Sequence, residues 1–429
     1  MILIPLLATL ALAGAPHPAL APLDDLYPSL DALYLDLHQH PELSLQEQQT
    51  AAKLAARLKA LGYEVTTRVG GHGVVGLLRN GTGPTVLLRT DMDALPVKEE
   101  TGLPFASSVT AKNAAGETVP VMHACGHDAH MASWVGAATL LARSRDRWRG
   151  TLVMVGQPAE ELVSGARAMI ADGLLTRFPR PDFALALHDT SIVPSGKVAF
   201  VPGYMYANIN SAELTVFGTG GHGAIPHRAV DPIVIAARIV VTLQTIVSRE
   251  VNPFDPAVVT VGSIHGGTKS NIIPEEVKLQ LTIRSYKDEV QDHLISAIGR
   301  IARAEAAAGR APREPLFQVG PRTASVMNDA DLGRRAREAL SQSLGADRVL
   351  DGQPSMGSED FTEFGRAGIP SLIFWLGAAE PKALAAATAA GKSLPTPHNP
   401  RFAPDREPTI RTGASAMTLL ALELLGKVP

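Results

Sequence analysis

The stretch Val121-Met-His-Ala-Cys-Gly-His-Asp-Ala-His130 concentrates residue types that bind metal ions. It contains the only cysteine of the 429 residues and three of the 13 histidines. Cys125 and His127 stand two positions apart, so in an extended segment both side chains would leave the backbone on the same side. Thiolate and imidazole are ligands preferred by zinc and similar transition ions. A small buried cysteine beside loop histidines explains the pair equally well, so a metal site requires further ligands from elsewhere in the chain.

A helix is predicted to follow this motif, because apolar residues recur from Asp128 onward at spacings of three and four. Asp128 would lie near the start of that helix. There its carboxylate could cap the helix or accept a hydrogen bond from a ligand histidine.

Further candidate ligands follow predicted strands. The apolar segments 85–90, 151–155, 183–187 and 370–375 have strand composition and alternate with helices. Strands that are apolar on both faces indicate a mostly parallel sheet covered by helices on both faces. Ligands of such sheets bind at the carboxyl ends of the strands. The residues at those ends are Asp91, Asp93, Glu160, Glu161 and His188.

Two amphipathic helices, 27–37 and 45–61, are predicted before the first of these strands. Ser44 and Glu47 have the spacing of a capping box at the start of the second helix. His38 and His40 lie between the two helices, and we interpret them as structural.

The segment 208–325 has a different rhythm. We predict a strand at 211–217, a helix at 231–247, strands at 258–264 and 277–285, a helix at 288–308 and a strand at 316–319. The order β-α-β-β-α-β is that of a ferredoxin-like sandwich. The chain is therefore expected to form an α/β sheet domain from 23–207 and 326–429, interrupted by an inserted α+β domain.

Taken together, the polar motifs resemble the M20 family of metallopeptidases, in the branch of amidohydrolases that act on N-acyl amino acids, such as hippurate and auxin-conjugate hydrolases. They run in order over nearly the whole chain after about residue 30. The matching segments are His38-x-His-Pro-Glu-Leu-Ser44, Arg89-Thr-Asp-Met-Asp-Ala-Leu-Pro96, Met122-His-Ala-Cys-Gly-His-Asp-x-His130, Gln157-Pro-Ala-Glu-Glu161, Gly220-Gly-His-Gly-Ala-x-Pro-His227, Gly266-Gly-Thr-x-x-Asn271, Gly357-Ser-Glu-Asp-Phe361 and His398-Asn-Pro400.

The resemblance implies a catalytic domain that binds two divalent metal ions, which could be Zn, Mn, Co or Ni. The amide bond of an N-acyl amino acid or short peptide would be cleaved by a metal-bound hydroxide, with Glu160 as general base. Asp91, Asp93 and Asp128 would orient ligand histidines. The implied metal ligands are Cys125, His127, Glu161, His188 and His398.

The resemblance also implies that the insert is a lid and dimerisation domain, so that a homodimer is expected. Its His222 would stabilise the tetrahedral oxyanion. Asn271 and Arg284 would bind the terminal carboxylate of the substrate, Arg284 through a bidentate fork. The chain departs from the family pattern in Ala186-Leu-His-Asp-Thr190, in Pro397 before His398 and in Asp405-Arg-Glu407. These departures indicate a changed pocket and leave the ligands intact.

Two alternatives share this scaffold. One is a dipeptidase or esterase, and the other is a non-catalytic protein that binds amino-acid conjugates. Glu160 weighs against pure binding, because a binding protein does not need that carboxylate beside its metal ions.

Composition excludes several other classes of protein. The hydrophobic content of 45%, with 38 glycines and 32 prolines, is ordinary for a globular protein with many turns. The net charge is −3 and the sequence has no run of basic residues, so we expect no nucleic-acid partner. A single cysteine excludes an intramolecular disulfide.

Residues 1–19 have the pattern of a secretory leader. The apolar run 1–15 has small residues in A-x-A spacing at Ala11/Ala13 and Ala13/Ala15, although no Lys or Arg precedes it. Three prolines between 16 and 22 end the run before the roughly 20 residues of a membrane span. We therefore expect a cleaved leader, a periplasmic or secreted protein, and no membrane attachment after cleavage.

Overall fold

The computed structural model describes residues 17–427 of the chain. The first 16 positions of the predicted leader lie outside the described residues. The chain divides into two compact units. Unit 1 contains the described residues of Met1–Pro202, Asn328–Gln353 and Ala367–Pro429; unit 2 contains Gly203–Met327 and Pro354–Arg366.

The α-helices in chain order are α1 (Leu23–Gln39), α2 (Gln48–Ala60), α3 (His127–Arg143), α4 (Gly165–Ala171), α5 (Pro232–Thr245), α6 (Asp288–Ala308), α7 (Ala330–Leu344), α8 (Thr362–Arg366), α9 (Pro381–Ala389) and α10 (Arg406–Leu424). Short 3-10 turns occur at Pro18–Leu20, Arg145–Arg147, Pro226–Arg228 and Ala346–Arg348, and a π-helical turn follows α5 at Ile246–Glu250.

The strands in chain order are β1 (Glu64–Val69), β2 (Gly73–Asn80), β3 (Thr85–Asp91), β4 (Thr110–Lys112), β5 (Thr118–Pro120), β6 (Trp148–Gln157), β7 (Phe183–Pro194), β8 (Val198–Phe200), β9 (Gly203–Tyr206), β10 (Asn208–Phe217), β11 (Gly221–His222), β12 (Ala257–Gly266), β13 (Ile272–Ile273), β14 (Glu276–Ser285), β15 (Leu316–Val319), β16 (Val326–Asn328), β17 (Val349–Asp351), β18 (Ser371–Ala379) and β19 (Gly426–Lys427).

Unit 1 is built on a nine-stranded sheet of order β1-β2-β6-β3-β7-β18-β8-β17, with β19 paired to β6. Its centre, β6-β3-β7-β18, is parallel, while β1, β2 and β19 pair antiparallel to their neighbours. These four central strands contain the apolar segments that the sequence indicated, which confirms the mostly parallel sheet. Every residue of β18 is buried, as expected of a strand covered on both faces.

Helix α3 lies in the core of unit 1 and begins within the candidate ligand motif, at His127. It packs against α1, α10 and β3. Nearly all of its residues are buried, including the polar side chains of His127, Asp128 and Ser133, so the helix is enclosed on all sides. The indole nitrogen of Trp134 donates to the Leu88 carbonyl at 2.9 Å, and the Tyr63 hydroxyl donates to the Ala138 carbonyl at 2.9 Å. These bonds fix α3 against β3 and the segment after α2.

Unit 2 has the predicted element order, β10-α5-β12-β14-α6-β15, and an antiparallel sheet of order β12-β14-β10-β15. Burial alternates along β14, since one face packs against α5 and α6. This arrangement is the ferredoxin-like sandwich expected from the sequence.

One helical stretch of unit 2, Pro232–Glu250, is long and apolar enough to span a membrane by length and composition alone. That criterion is weak evidence for a span, because core helices also meet it. Here 33% of the most apolar window is buried, and the stretch packs on the sheet of the domain. We therefore describe it as a domain helix.

We predicted that all of 326–429 belongs to the sheet domain, and the structure differs in one segment. The segment Pro354–Arg366 groups with unit 2. Its backbone explains this, because the Ser355 amide donates to the Met205 carbonyl at 2.8 Å and the Ala207 amide donates to the Gly357 carbonyl at 2.8 Å. These bonds continue the pairing of unit 2 into a segment distant in sequence.

The start of α2 also differs from the prediction, because the expected capping box does not form. The helix begins at Gln48, and its first amides are capped by a more distant carboxylate, that of Glu42. The Gln49 and Thr50 amides donate to Glu42 at 3.1 and 2.7 Å. This frees Ser44 and Glu47 for contacts outside the helix.

Candidate active site

Cys125 and His127 reach the site through a turn rather than through the extended segment that we expected. Gly126 has φ of 74° and is the N-cap of α3, so His127 is the first residue of the helix. A Cβ at position 126 would lie 2.1 Å from Asp189 Oδ2. Glycine is therefore required there both by the left-handed backbone and by the close carboxylate.

The strand ends meet as predicted. Asp91 at the end of β3 is in register with Gln157 at the end of β6. Glu160 and Glu161 lie in the loop after β6. His188 lies in β7, on the other side of β3; β7 continues to Pro194 and does not end at His188 as predicted. The parallel sheet thus brings these side chains to one edge of unit 1.

His398 enters the same region from a loop near the end of the chain. Its amide donates to the Ala124 carbonyl at 2.7 Å, which ties the loop to the turn before α3. Its backbone has φ of 71°, an uncommon conformation for a residue other than glycine, and 58% of its side chain is exposed. The candidate ligand from this loop therefore lies at the open side of the cluster.

The five implied ligands converge in unit 1. Cys125 Sγ lies 3.5 Å from His188 Nε2, and Glu161 Oε2 lies 3.3 Å from His398 Nε2. The donor atoms of Cys125, His127 and His188 lie within 4.8 Å of one another, and so do those of Cys125, Glu161 and His398. Two groups of three donors that share one thiol suit two neighbouring ions, because thiolate, imidazole and carboxylate are ligands of the same class of divalent metals.

Two of the imidazoles are held with one ring nitrogen facing the cluster. His127 Nδ1 lies 2.8 Å from the Asp93 carbonyl oxygen, and His188 Nδ1 lies 2.8 Å from the Asp189 carbonyl oxygen. A carbonyl only accepts hydrogen bonds, so each Nδ1 carries a proton and each Nε2 can present its lone pair. Among the described residues, the buried His127 Nε2 and Glu161 Oε1 have no hydrogen-bond partner, which fits atoms placed to bind a cation.

The electrostatic environment of the cluster favours cations. Burial opposes a charge on His127, yet the carboxylates of Asp91, Asp93 and Glu161 raise its pKa to about 10. Burial and the same kind of carboxylate neighbours raise the pKa of the Cys125 thiol well above its ordinary value. The thiol would therefore ionise when a metal cation lies beside it and offsets that negative potential.

Two of the three aspartates that we expected to orient ligand histidines contact other histidines instead. Asp91 Oδ1 lies 2.8 Å from Nδ1 of His130. Asp93 reaches His127 through its backbone carbonyl, while its carboxylate accepts the amides of Glu160 and Glu161. Asp128 Oδ2 lies 2.6 Å from Nδ1 of His38, and Gly126, not Asp128, is the N-cap of α3. Only Asp93 therefore holds a candidate ligand histidine, and it does so with its main chain.

Sequence reasoning gave no role to His130 or to Asp189, although both are buried at the cluster. His130 accepts the Asp189 amide at 2.9 Å, and the Asp189 carboxylate lies 3.2 Å from His130 Nε2 and 3.7 Å from His188 Nδ1. The available signals were the third histidine of the motif and the acidic residue that departs from the family pattern after His188.

His38 is structural, as interpreted from the sequence, but it belongs to a buried ion-pair group. Its ring nitrogens lie 2.6 Å from Asp128 and 3.1 Å from Glu99. Burial opposes its charge, yet the hydrogen bonds to these two carboxylates raise the pKa of His38 to about 10. The group links the end of α1 to the start of α3.

We predict that His38→Ala lowers the free energy of unfolding at neutral pH by about 3–5 kcal/mol, because it leaves two buried carboxylates unpaired. The raised pKa means that the contribution of His38 is fully present below pH about 6.5 and is lost as the pH rises through about 10. Urea unfolding of both proteins at several pH values would measure the difference. His40→Ala, at a histidine that is 63% exposed, should change stability little; an equal loss in both variants would contradict the assignment.

Unit 2 holds the remaining candidates, and two of them lie together. His222 in β11 pairs with Ile272 of β13, and the Gly223 amide donates to the Asn271 carbonyl at 2.9 Å. His222 is exposed, and its Nδ1 accepts the Ala224 amide at 3.0 Å, so Nε2 of the neutral ring is a donor. Arg284 is part-buried on β14 and donates to the Met356 carbonyl at 2.6 Å.

Residues 87–423 match the sequence model of the family described as Peptidase family M20/M25/M40. The chain belongs to this peptidase family. Thermostable carboxypeptidase 1 of Saccharolobus solfataricus is 35% identical over 397 residues, which cover 91% of this chain and 94% of that protein. The N-acetylcysteine deacetylase of Bacillus subtilis is 34% identical over 344 residues, with 80% and 86% covered.

A solved M20 structure has the same fold. The YXEP protein of Bacillus subtilis, described as a dinuclear metal binding peptidase, aligns with a TM-score of 0.75 and 29% identity over 94% of this chain and 100% of that chain. As a member of the M20 family, this protein is a metal-dependent hydrolase of C–N bonds. The cluster in unit 1 contains the cysteine, histidine and glutamate side chains that such a metal-dependent hydrolase requires.

Proposed function

We propose that this M20 protein hydrolyses the amide bond of N-acyl amino acids or short peptides, with Glu160 as the general base. One observation carries the proposal most directly. Two adjacent carboxylates follow β6, and both lie at the donor cluster: Glu161 Oε1 is 3.9 Å and Glu160 Oε2 is 4.0 Å from His127 Nε2. Adjacent carboxylates can divide the work, one as a metal ligand and one in proton transfer.

Two divalent ions would be held by Cys125, His127, Glu161, His188 and His398. When bound, they would polarise an amide carbonyl and lower the pKa of a water molecule. Glu160 takes the proton of the attacking water at a carboxylate oxygen and delivers it to the leaving nitrogen. The residues of β7 and α3 beside the cluster are buried, which would limit the access of bulk water from that side. Glu160 itself is 6% exposed, so its proton is shielded from rapid loss to solvent.

The three candidates in unit 2 are proposed to act on the substrate. The Nε2 donor of His222 suits stabilisation of negative charge on the former carbonyl oxygen. The Arg284 guanidinium and the Asn271 amide suit a terminal carboxylate. Burial lowers the pKa of Arg284 from its ordinary value, yet a guanidinium stays charged at neutral pH.

An exopeptidase acting from the carboxyl end is the second candidate. It is favoured by the likeness to Thermostable carboxypeptidase 1, which covers 91% of this chain. Both activities use the same base and the same recognition of a terminal carboxylate, so they differ in the group on the acyl side. An esterase or a non-catalytic binder of amino-acid conjugates would show no amino-acid release from either substrate class.

The test is amino-acid release by chelator-stripped protein, with Zn²⁺, Mn²⁺, Co²⁺ or Ni²⁺ restored one at a time. The panel contains N-acetyl, N-benzoyl and indole-acetyl amino acids, dipeptides, and matched substrates whose carboxylate is amidated. We expect release only with restored metal and at least tenfold slower release from the amidated substrates. Metal-bound protein that releases nothing from any substrate would contradict the proposal.

We propose that a second copy of this chain covers the outer face of α5. Val234 and Val241 lie two turns apart on that helix and are 57% and 71% exposed. They form an apolar stripe whose exposure to water is unfavourable. Light scattering should give twice the chain mass, and Val241→Glu should shift it to the monomer. A monomeric wild-type protein would overturn this proposal.

We propose that the leader is removed and that the mature protein is exported. The described residues favour an end of the leader before His17 rather than at the predicted residue 19, because the turn Pro18–Leu20 packs against α3 and α10 and Ala19 is 1% exposed. Cleavage after Ala13 or Ala15 keeps that turn. N-terminal sequencing of protein from the periplasm or medium would check this, and an uncleaved cytoplasmic product would contradict it.

A further inference from the structure

The turn that carries Glu160 and Glu161 is held by carboxylates from two distant segments. The Glu160 and Glu161 amides donate to the two oxygens of Asp93, at 3.1 and 3.0 Å. The preceding amide, that of Ala159, donates to Glu47 Oε1 at 2.8 Å. Three successive backbone amides are therefore bound by side chains that lie 112 and about 67 residues away in sequence.

This turn needs such support because its backbone is uncommon. Ala159 has φ of 51° and Val163 has φ of 47°, both in the left-handed region that side chains other than glycine rarely adopt. A β-branched residue such as valine is especially unfavourable there. Contacts around the turn must offset that conformational cost. The first of them along the chain is the hydrogen bond from the Ala159 amide.

Glu47 is not explained by the helix that it precedes. It is the N-cap residue of α2, yet its side chain makes no cap hydrogen bond, and Glu42 caps the first amides instead. Glu47 is 0% exposed, and its Oε1 accepts both the Ala159 amide and the Leu45 amide. Its Oε2 has no hydrogen-bond partner among the residues that the structure describes.

A buried carboxyl with one unsatisfied oxygen is costly to keep, and burial raises the pKa of Glu47 to about 7. The neighbouring Asp93 is supported from the same segment, since the Ser44 hydroxyl donates to its Oδ2 at 2.6 Å. The segment before α2 thus supports the turn in two ways, directly through the Glu47 carboxylate and indirectly through the bond from Ser44 to Asp93. These contacts all end on the turn that carries Glu160 and Glu161.

We propose that Glu47 is a positioning residue for the active site, which fixes the Ala159 end of the turn so that Glu160 and Glu161 keep their places. The inference rests on the roles proposed for those two residues. Loss of the Glu47 acceptor leaves the Ala159 amide unpaired and lets the turn relax from its left-handed conformation. A displacement of about 1 Å at a reacting group can cost roughly 10²-fold in rate.

The test compares three variants. Glu47→Met removes the acceptor but keeps apolar volume in the buried site, so the protein is expected to fold. Glu47→Gln keeps an oxygen that can accept the Ala159 amide. Glu42→Ala removes the cap of α2 from the same segment and is the matched control for general loosening. The measurements are kcat, KM, thermal midpoint and Zn²⁺ affinity by chelator competition.

We expect Glu47→Met to lower kcat about 10²-fold with KM changed only a few-fold, and to weaken Zn²⁺ binding by about 10–100-fold. Glu47→Gln should recover most of both quantities. Glu42→Ala should lower the thermal midpoint but keep kcat and Zn²⁺ affinity. Wild-type kcat and Zn²⁺ affinity in Glu47→Met, or equal losses in Glu42→Ala, would overturn the inference.

The Zn²⁺ measurement separates this inference from the proposed function. If the wild-type protein binds Zn²⁺ but cleaves no amide, the proposed function fails, and the affinity of Glu47→Met still reports on the Glu161 side of the turn. A loss of affinity in that case keeps Glu47 as a positioning residue for the metal site, and an unchanged affinity removes it.

Discussion

Glu160→Gln is expected to lower kcat for amide hydrolysis by about 10²–10⁴-fold, the usual contribution of a general base. The substitution keeps the size of the side chain and leaves the Glu160 amide on Asp93, so the turn after β6 should stay in place. What is lost is a carboxylate that can accept a proton. Metal content should equal that of the wild-type protein, which separates this variant from a general loss of the site.

The matched control is the neighbouring substitution, Glu161→Gln. Its side chain lies 3.3 Å from His398 Nε2 and belongs to the donor group that includes Cys125. We expect this variant to lose metal affinity, whereas Glu160→Gln should keep its metal. Steady-state kinetics and metal analysis on both proteins would test the division of roles, and retained turnover in Glu160→Gln would remove it as the base.

Cys125→Ala is expected to abolish stable binding of at least one metal ion and, with it, nearly all activity. The thiol is 5% exposed and is the one residue common to the Cys125–His127–His188 and Cys125–Glu161–His398 donor groups. A methyl group in its place removes a ligand from both groups at once, while it leaves only a small cavity in the core. Metal content per chain after gel filtration, measured by mass spectrometry, would show the loss.

Glu160→Gln serves as the comparison protein, because it should pass through the same column with its metal retained. Loss of metal in both variants would point to a damaged site rather than to a missing ligand. Wild-type metal content in Cys125→Ala would exclude Cys125 from the ligand set.

The sequence predicted the parts of the fold that depend on local composition. Continuous apolar runs marked β3, β6, β7 and β18. Because parallel strands share an edge, the runs also predicted that Glu161 and His188 lie near each other, although β7 continues past His188 to Pro194. The alternating strands and the two helices of unit 2 marked the insert in the same way. The resemblance to the M20 family supplied His398, which no local pattern placed near the other candidate ligands.

Contacts between distant segments could not be read from local patterns. Ser44 and Glu47 have capping-box spacing, but the first amides of α2 donate to Glu42 instead. Glu47 accepts an amide of the loop after β6, and Ser44 donates to Asp93 after β3. Asp128 likewise had the position of a cap, and a buried histidine from α1 competed for its carboxylate. In each case a tertiary partner replaced the local one, and spacing along the chain carries no information about such partners.

The anchoring of His398 to Ala124 has a consequence for the stability of the whole chain. The candidate ligands extend from Cys125 to His398, and the main chain joins the two ends of that span at 2.7 Å. An ion held by both ends would act as a reversible cross-link that closes a very long loop, and it would restrict the unfolded chain much as a disulfide does. For a sequence with a single cysteine, metal supply would then set mechanical and proteolytic resistance as well as turnover, in a manner that chelation reverses.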